Sequence, residues 1–391
     1  MSDPRQAAKP IPIARPWMDE READAARRPI AKGWVTQGPE VAAFEREFAA
    51  YVGAPYACAV SNCTNALHLA LLAAGVQPGD EVITVSHSFI ATASSIRYCG
   101  AVPVFVDIQP DTFNMDPSGI EPAISPRTRA VLAVHQMGMP CDLKRILEVA
   151  GRRGLPVIED AACAVGSEIY WDGGWQKTGR PHGAIACFSF HPRKLLTTGD
   201  GGMLTTADAA YDAKFRAWRQ HGMSVPDTVR HAASSVIFEE YPELGFNYRL
   251  TDIQAAVGRE QLKKLPEAVS RRRRLVARYR ELLAGIEGLE LPAEPEWARG
   301  NWQSFCVRLP HGQEQAAVMQ SLLHEGIATR RGIMCAHREA AYPRGSWRSA
   351  GTLLESEAAQ DGCVLLPLFH EMTEADQDRV VAALRAAVQQ G

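Results

Sequence analysis

The sequence predicts an α/β protein, with a mostly parallel central sheet covered by helices and a smaller C-terminal α+β domain. Three observations carry that expectation. Short β-prone runs alternate with helix-length segments as far as residue 206, the pattern of right-handed crossovers between parallel strands. Two of the later runs stand close together in the chain, so part of the sheet is expected to be antiparallel. From about Thr251 the alternation gives way to one long helical stretch and a new, shorter set of elements.

The β-prone runs are Tyr56 to Val60, Glu81 to Val85, Val102 to Ile108, Ala130 to Val134, Pro156 to Asp160, Ile185 to Phe190 and Met203 to Thr206. They are mostly apolar rather than alternating, as strands buried on both faces are. Helices are expected between them at Thr64 to Gly75, Ile90 to Gly100 and Asp142 to Arg153. Asp252 to Ala284 reads as helix with one interruption at Pro266, where a helical hydrogen bond is lost. A connector rich in Pro, Glu and Trp follows at 292–302. Strands are expected at Ser304 to Leu309 and Ile327 to Ile333, and helices at Gln313 to Glu325 and Glu374 to Gln390. The first 30 residues, with prolines at 10, 12 and 16, read as an extended arm. The expected division is an arm at 1–30, a large domain at 31–265 and a small domain at 266–391.

Composition narrows the class. The 391 residues are 46% hydrophobic and 22% charged with a net charge of −3, which suits a globular protein and excludes the basic domain of a nucleic-acid binder. The basic run Arg271 to Arg274 opens a helical segment that also carries Glu281, and reads as a solvated face. No segment reaches the roughly 18 uninterrupted apolar residues of a membrane span. The N-terminal stretch has charges and prolines where a signal peptide has an apolar core. Nine cysteines, scattered and without a CxxC, point to neither a disulfide framework nor a zinc ribbon. A cytoplasmic protein without nucleic-acid or membrane partners and without a bound metal is the expectation.

In an open parallel sheet, ligands sit beyond the carboxyl ends of the strands. Four features lie at such ends. SNCTN, residues 61–65, opens a helix with small polar residues, which are either a plain N-cap or a cradle for a phosphate on free N–H groups. Phe89 follows the second strand, and Asp160 closes the fifth. Lys194 lies in HPRKLLTTGDGG, between a β-prone run and a glycine-rich turn. A carboxylate ending an apolar strand needs a cation or several hydrogen bonds, so an Asp160–Lys194 salt bridge is the plainest explanation of that pair. Taken together, a phosphate cradle, a stacking ring, a buried carboxylate and a lysine are what pyridoxal 5′-phosphate requires.

The order of these pieces carries a resemblance. GWVTQGPEVAAFEREFAAYVG, SNCTNALHLAL, SHSFIATASSI, PVFVDI, VIEDAACAVGS, CFSFHPRKLLTTGDGGM, GFNYRLTDIQAAVG and TRRGIMCAHREAAY, spread from about Ile30 to Leu384, are similar to the DegT/DnrJ/EryC1/StrS sugar aminotransferases. The resemblance implies the three-layer fold of type I pyridoxal-phosphate enzymes. It implies transfer of an amino group, from a donor such as glutamate, to a keto-deoxysugar carried on a nucleotide. Lys194 would hold the cofactor covalently and then move protons. Asp160 would pair with the pyridine nitrogen, and Phe89 would stack on the ring. Thr64 and Ser189, with the backbone around Cys63, would hold the phosphate. Asn247 would reach the phosphate of a neighbouring subunit, making a homodimer the functional unit.

Two positions depart from the family pattern. Cys63 stands where Gly is common in the phosphate turn, and Cys163 stands where His or Gln commonly meets the cofactor's 3′-oxygen. On the substrate side, Arg330, Arg331, His337 and Tyr342 match a region that meets the nucleotide-sugar in relatives, and arginine suits a diphosphate through its planar fork. His135 and Gln136 are further pocket candidates at a strand end. A keto-cyclitol acceptor shares these motifs and is the alternative. A dehydratase of this fold would carry histidine in place of Lys194, and a regulator would carry a DNA-binding segment, which the sequence does not display.

Overall fold

A computed structural model describes residues 9–225, 229–230 and 233–389. Its centre is an eight-stranded sheet. In chain order the strands contributing to it are β1 (Tyr56–Val60), β2 (Glu81–Val85), β3 (Val102–Val106), β4 (Thr128–Val134), β5 (Val157–Asp160), β8 (Ile185–Ser189), β9 (Gly202–Thr206) and β13 (Arg348–Ser349). Their spatial order is β1-β9-β8-β5-β4-β2-β3-β13. Only β9 runs against its neighbours, β1 and β8, and the other pairs are parallel. The antiparallel part of the sheet is therefore where the closely spaced late runs of the sequence placed it. Because β1, β2, β4, β5 and β8 point the same way, Ser61, Ser86, His135, Asp160 and Ser189 all emerge along one edge. Gly202, at the start of β9, lies opposite both Val60 and Ser189 on that edge.

Helices bury both faces of the sheet. On one, α3 (Cys63–Ala73) packs Leu67 and Leu71 among Leu132, Ile158, Cys187 and Leu204. On the other, α2 (Pro39–Val52) packs Phe44 and Phe48 against Phe188, Phe190 and Met203. A 32-residue helix, Asp252–Leu283, covers this second face and continues into the small domain. Its start is a capping box in which Thr251 accepts from the Gln254 N–H. Pro266 lies inside it without breaking it. Burial of Leu262, Leu265 and Val269 around the proline offsets the missing rung. The division expected at residue 266 falls inside this helix.

The first 30 residues are not all extended. Glu20–Lys32 is a helix, started by a capping box between Asp19 and Glu22 and ended by Gly33 in the left-handed region (φ 75°). It is tied to the long helix where Lys264 donates to Glu22 (2.7 Å) and to Asp19 (3.0 Å).

Beyond the long helix, β11 (Phe305–Arg308), β14 (Cys363–Leu366) and β12 (Arg330–Arg331) form a small antiparallel sheet. The helices Gln315–His324 and Glu374–Gln389 cover it. The strand expected over 327–333 is thus reduced to two residues. A hairpin of β6 (Glu168–Trp171) and β7 (Gly174–Lys177), with β10 (Ala298–Arg299) at its side, was not expected.

The C-terminal segment also completes the large sheet, since β13 pairs with β3. That joint is locked by Glu81, which is fully buried and accepts from Arg348 (2.7 Å) and Ser125 (2.7 Å) as well as from Arg127. Burial alone would raise its carboxyl, but the bonds from Arg348, Ser125 and Arg127 outweigh it and hold the pKa at about 2. A carboxyl depressed in the folded state stabilises fully above its ordinary 4.5 and loses that contribution as pH falls through 2. Thermal melts of the wild type and Glu81→Gln should therefore differ most at neutral pH, with the gap closing between pH 4.5 and 2. A gap that stays constant over that range contradicts this role.

Candidate active site

The strand edge gathers the expected residues from four loops. Asp160 ends β5 and is 5% exposed. Its Oδ2 accepts from the Thr92 hydroxyl (2.7 Å), and its Oδ1 accepts from the Ala162 N–H (3.2 Å). Burial raises its pKa, opposed by those two hydrogen bonds and by the nearby Lys194 and His135. No cation among the described residues lies within ion-pair distance of it. The salt bridge that would explain the Asp160–Lys194 pair by structure alone is not formed. Lys194 is half-buried in a turn after β8, held by its N–H on the His191 carbonyl (2.8 Å), and its Nζ donates to Cys163 Sγ (2.9 Å).

The first turn of α3 lies close by. Asn62 caps the helix by accepting from the Asn65 N–H (2.9 Å), and Asn65 in turn donates to Ser61. Cys63 is buried and Thr64 half-buried in this turn. The Cys63 thiol is held protonated: burial and the neighbouring Asp160 push its pKa well above the usual value, and Lys194 opposes them. A Cβ on Gly202 would stand 2.6 Å from the Asn62 carbonyl and 2.8 Å from the Cys63 nitrogen. Only glycine lets β9 approach the helix start so closely, which forms a narrow cradle from Ser189, Gly202 and the first N–H groups of α3. Phe89 precedes the helix Ala91–Tyr98 and is 58% exposed, a large apolar ring left open at the same edge.

Loops behind the lysine fix it in place. Asn301 is fully buried and donates to the carbonyls of Cys163 (2.8 Å) and Val165 (2.9 Å). Gln303, two residues on, donates to the Arg193 carbonyl. Between them Trp302 takes a left-handed backbone (φ 54°), and the buried guanidinium of Arg272 binds the carbonyls of 302 and 303. These residues hold both ends of the Lys194–Cys163 contact and were not singled out by the sequence.

The pocket candidates at the end of β4 are internally engaged. His135 accepts the Cys141 N–H at Nδ1 (3.1 Å), so its Nε2 proton faces Glu159 (3.0 Å). Gln136 donates to the His87 carbonyl and its N–H to Asn114.

The small-domain candidates divide. Arg330 is exposed on β12 and has no ion-pair partner among the described residues. It lies near Arg193 and His191: burial lowers the pKa of both, and Arg330 lowers each further. Arg331 meets Glu339 (3.3 Å). His337 is engaged at both ring nitrogens, with Ser86 (2.7 Å) and Glu357 (2.9 Å). Tyr342 is buried, and its hydroxyl meets Ser94 (3.0 Å). These last two fasten the loop 335–342 to the end of β2 and to the helix after it. Asn247 is exposed, in a strand-like segment whose Tyr248 carbonyl accepts from the Ser61 N–H (2.8 Å).

The donor set fits pyridoxal 5′-phosphate. A buried carboxylate lacking a cation matches a protonated ring nitrogen, the α3 cradle matches a phosphate, and Lys194 supplies the amine. Residues 16–385 match the model of the DegT/DnrJ/EryC1/StrS aminotransferase family. The chain is 39% identical to GDP-perosamine synthase of Caulobacter vibrioides over 96% of its length and 97% of that protein's. It is 36% identical to the spore coat polysaccharide biosynthesis protein SpsC of Bacillus subtilis, over 97% of each. Its structure is similar to that of S. venezuelae DesV, solved in complex with a ketimine intermediate, with 32% identity and a TM-score of 0.87 over 97% of this chain and 99% of that one. On this match of sequence, fold and site chemistry, the chain belongs to the DegT/DnrJ/EryC1/StrS aminotransferase family and is a pyridoxal 5′-phosphate-dependent aminotransferase.

Proposed function

We propose that this aminotransferase moves an amino group, drawn from glutamate, onto a keto-deoxysugar carried by a nucleoside diphosphate, in active sites shared across a homodimer. The observation that carries the substrate class is the unpaired Arg330 beside Arg193 and His191, at the mouth of the Lys194 turn. Two guanidinium groups, Arg193 and Arg330, that find no ion-pair partner among the described residues suit a polyanion, which a nucleoside diphosphate provides and a bare sugar does not. The same edge suits a dicarboxylate donor. GDP-perosamine synthase, 39% identical, supports a nucleotide-linked acceptor by its name.

The cofactor supplies the carbonyl that takes up the amino group and the electron sink that makes the adjoining C–H acidic. Asp160 orients it and keeps a proton on the ring nitrogen. Phe89 covers one ring face and excludes water. Thr64, Ser189 and the N–H groups around Cys63 bind the phosphate, and Asn247 of the neighbouring subunit adds to them. Lys194 would take the proton from the donor carbon in the first half-reaction and give one to the acceptor carbon in the second, with Cys163 holding its amine at the reacting edge. His337 and Tyr342 act in this scheme by holding the pocket wall, while Arg330 and Arg331 face the substrate.

The assignment of Lys194 is tested by borohydride reduction of the yellow holoenzyme, which should fix the cofactor on a peptide containing residue 194. Lys194→Ala should lose transamination entirely, and an active variant would overturn the mechanism. The shared site is tested by mixing two inactive variants, Lys194→Ala and Asn247→Ala. Heterodimers should regain activity, because one of their two sites is intact. No rescue in a mixture shown to contain heterodimers would put both residues in one chain's site. For the acceptor, Arg330→Ala should raise KM for a nucleotide keto sugar roughly ten- to a hundredfold at similar kcat, the loss of one charge-assisted contact. Arg331→Ala should have the smaller effect, since Glu339 already occupies that guanidinium. Efficient turnover of a free keto-cyclitol, unaffected by either change, would replace the sugar-nucleotide acceptor with a cyclitol.

A further inference from the structure

The turn that carries Phe89 also carries two hydroxyls, Ser88 and Thr92, four residues apart and therefore on the same side of the turn. Both are buried, at 4% and 2% exposure, beside Asp160. Thr92 Oγ1 lies 2.7 Å from Asp160 Oδ2 and 2.8 Å from Ser88 Oγ. The directions of these bonds follow from the inventory of donors. An ionised carboxylate only accepts, so the single Thr92 proton is committed to Asp160. Ser88 must then donate to Thr92. The result is a one-way chain, Ser88 to Thr92 to Asp160, closed on the other carboxylate oxygen by the Ala162 N–H.

We propose that Ser88 and Thr92 are positioning residues that hold Asp160 ionised and aimed at the cofactor's ring nitrogen. The proposal rests on the role assigned to Asp160 above. Asp160 has no cation within ion-pair distance among the described residues, so the hydrogen bonds from Thr92 and the Ala162 N–H do most to oppose its burial until the cofactor binds, ahead of the charges on Lys194 and His135. The chain also polarises: a hydroxyl that accepts from Ser88 is a stronger donor to Asp160 than an isolated one. Because Thr92 belongs to the same turn as Phe89, the group that orients the carboxylate and the ring that covers the cofactor are set by one piece of backbone, in which the Thr92 N–H donates to the Phe89 carbonyl (3.0 Å). The contribution of the hydroxyl can be separated from the shape of the turn. Thr92→Val keeps the shape and removes the donor. Thr92→Ser keeps the donor and removes the methyl group.

The readout is the pH midpoint of the visible band of the bound cofactor, measured by absorbance in the holoenzyme. A carboxylate that has lost a donor keeps the shared proton more tightly and gives less of it to the ring nitrogen. The ring then withdraws electrons less strongly, and the nitrogen that joins it to Lys194 becomes more basic. Thr92→Val should move the midpoint upward by roughly one pH unit, the tenfold expected for one hydrogen bond to a charged group. Thr92→Ser should stay near the wild type. Ser88→Ala, a smaller change to the core, should move the midpoint in the same direction by less. A wild-type midpoint in Thr92→Val or in Ser88→Ala overturns the relay, as does a Thr92→Ser midpoint that matches Thr92→Val. Asp160→Asn separates this outcome from failure of the Asp160 assignment. If that variant shifts the midpoint while Thr92→Val does not, only the relay is wrong. If it too leaves the midpoint unmoved, the role of Asp160 falls with it.

Discussion

The active site is organised around a buried carboxylate that the protein leaves without a cation. Asp160 is fixed by the end of β5, by a hydroxyl and by one backbone N–H, while the nearest lysine turns its amine to a thiol instead. Removing an ion from water is expensive, and a protein seeking only stability would pair such a group or omit it. An unpaired carboxylate at the carboxyl end of a parallel sheet is the imprint of a ligand that brings its own positive charge. The α3 cradle, the Phe89 ring and Lys194 share the strand edge with that group.

The arrangement depends on close approaches that single residues permit. Gly202 allows β9 to touch the start of α3, where any side chain would collide with the Asn62 carbonyl. Gly138 allows the loop after β4 to meet the Asn301 amide, where a Cβ would overlap its oxygen. Asn301 and Gln303 then reach the backbone of Cys163 and Arg193, so the connector between the long helix and the small sheet sets the position of Lys194. The small domain is also tied to the large sheet through β13 and Glu81 and through His337 on Ser86. The arginine proposed to meet the substrate, Arg330, is thereby referred to the same frame as Lys194.

Much of this was legible in the sequence, because strand ends are local features. Asp160 closes an apolar run, Lys194 sits beside a glycine-rich turn, and SNCTN opens a helix. Each can be placed on the edge without knowing what lies across from it. What stayed hidden depends on partners far along the chain. Thr92 reads as an ordinary helix residue until Asp160, 68 positions away, is brought to it. Asn301 is 138 positions from Cys163. His337 and Tyr342 stand beside the arginines in sequence, but the contacts that occupy them come from Ser86 and Ser94. The helix Glu20–Lys32 was obscured by the prolines before it and by its few apolar residues, although its capping box, Asp19 with Glu22, is a readable start signal. Pro266 illustrates the converse, a local helix breaker overruled by the packing around it.

The central claim is that Asp160 remains ionised because the cofactor's ring nitrogen carries the proton opposite it. Nitrogen-15 NMR of the holoenzyme loaded with ring-labelled pyridoxal 5′-phosphate measures that proton directly. The wild type should give the shift of a protonated pyridine nitrogen throughout the neutral and mildly alkaline range, and Asp160→Asn should give that of an unprotonated one. An unprotonated ring nitrogen in the wild type, or the same protonated signal in both proteins, would contradict the account.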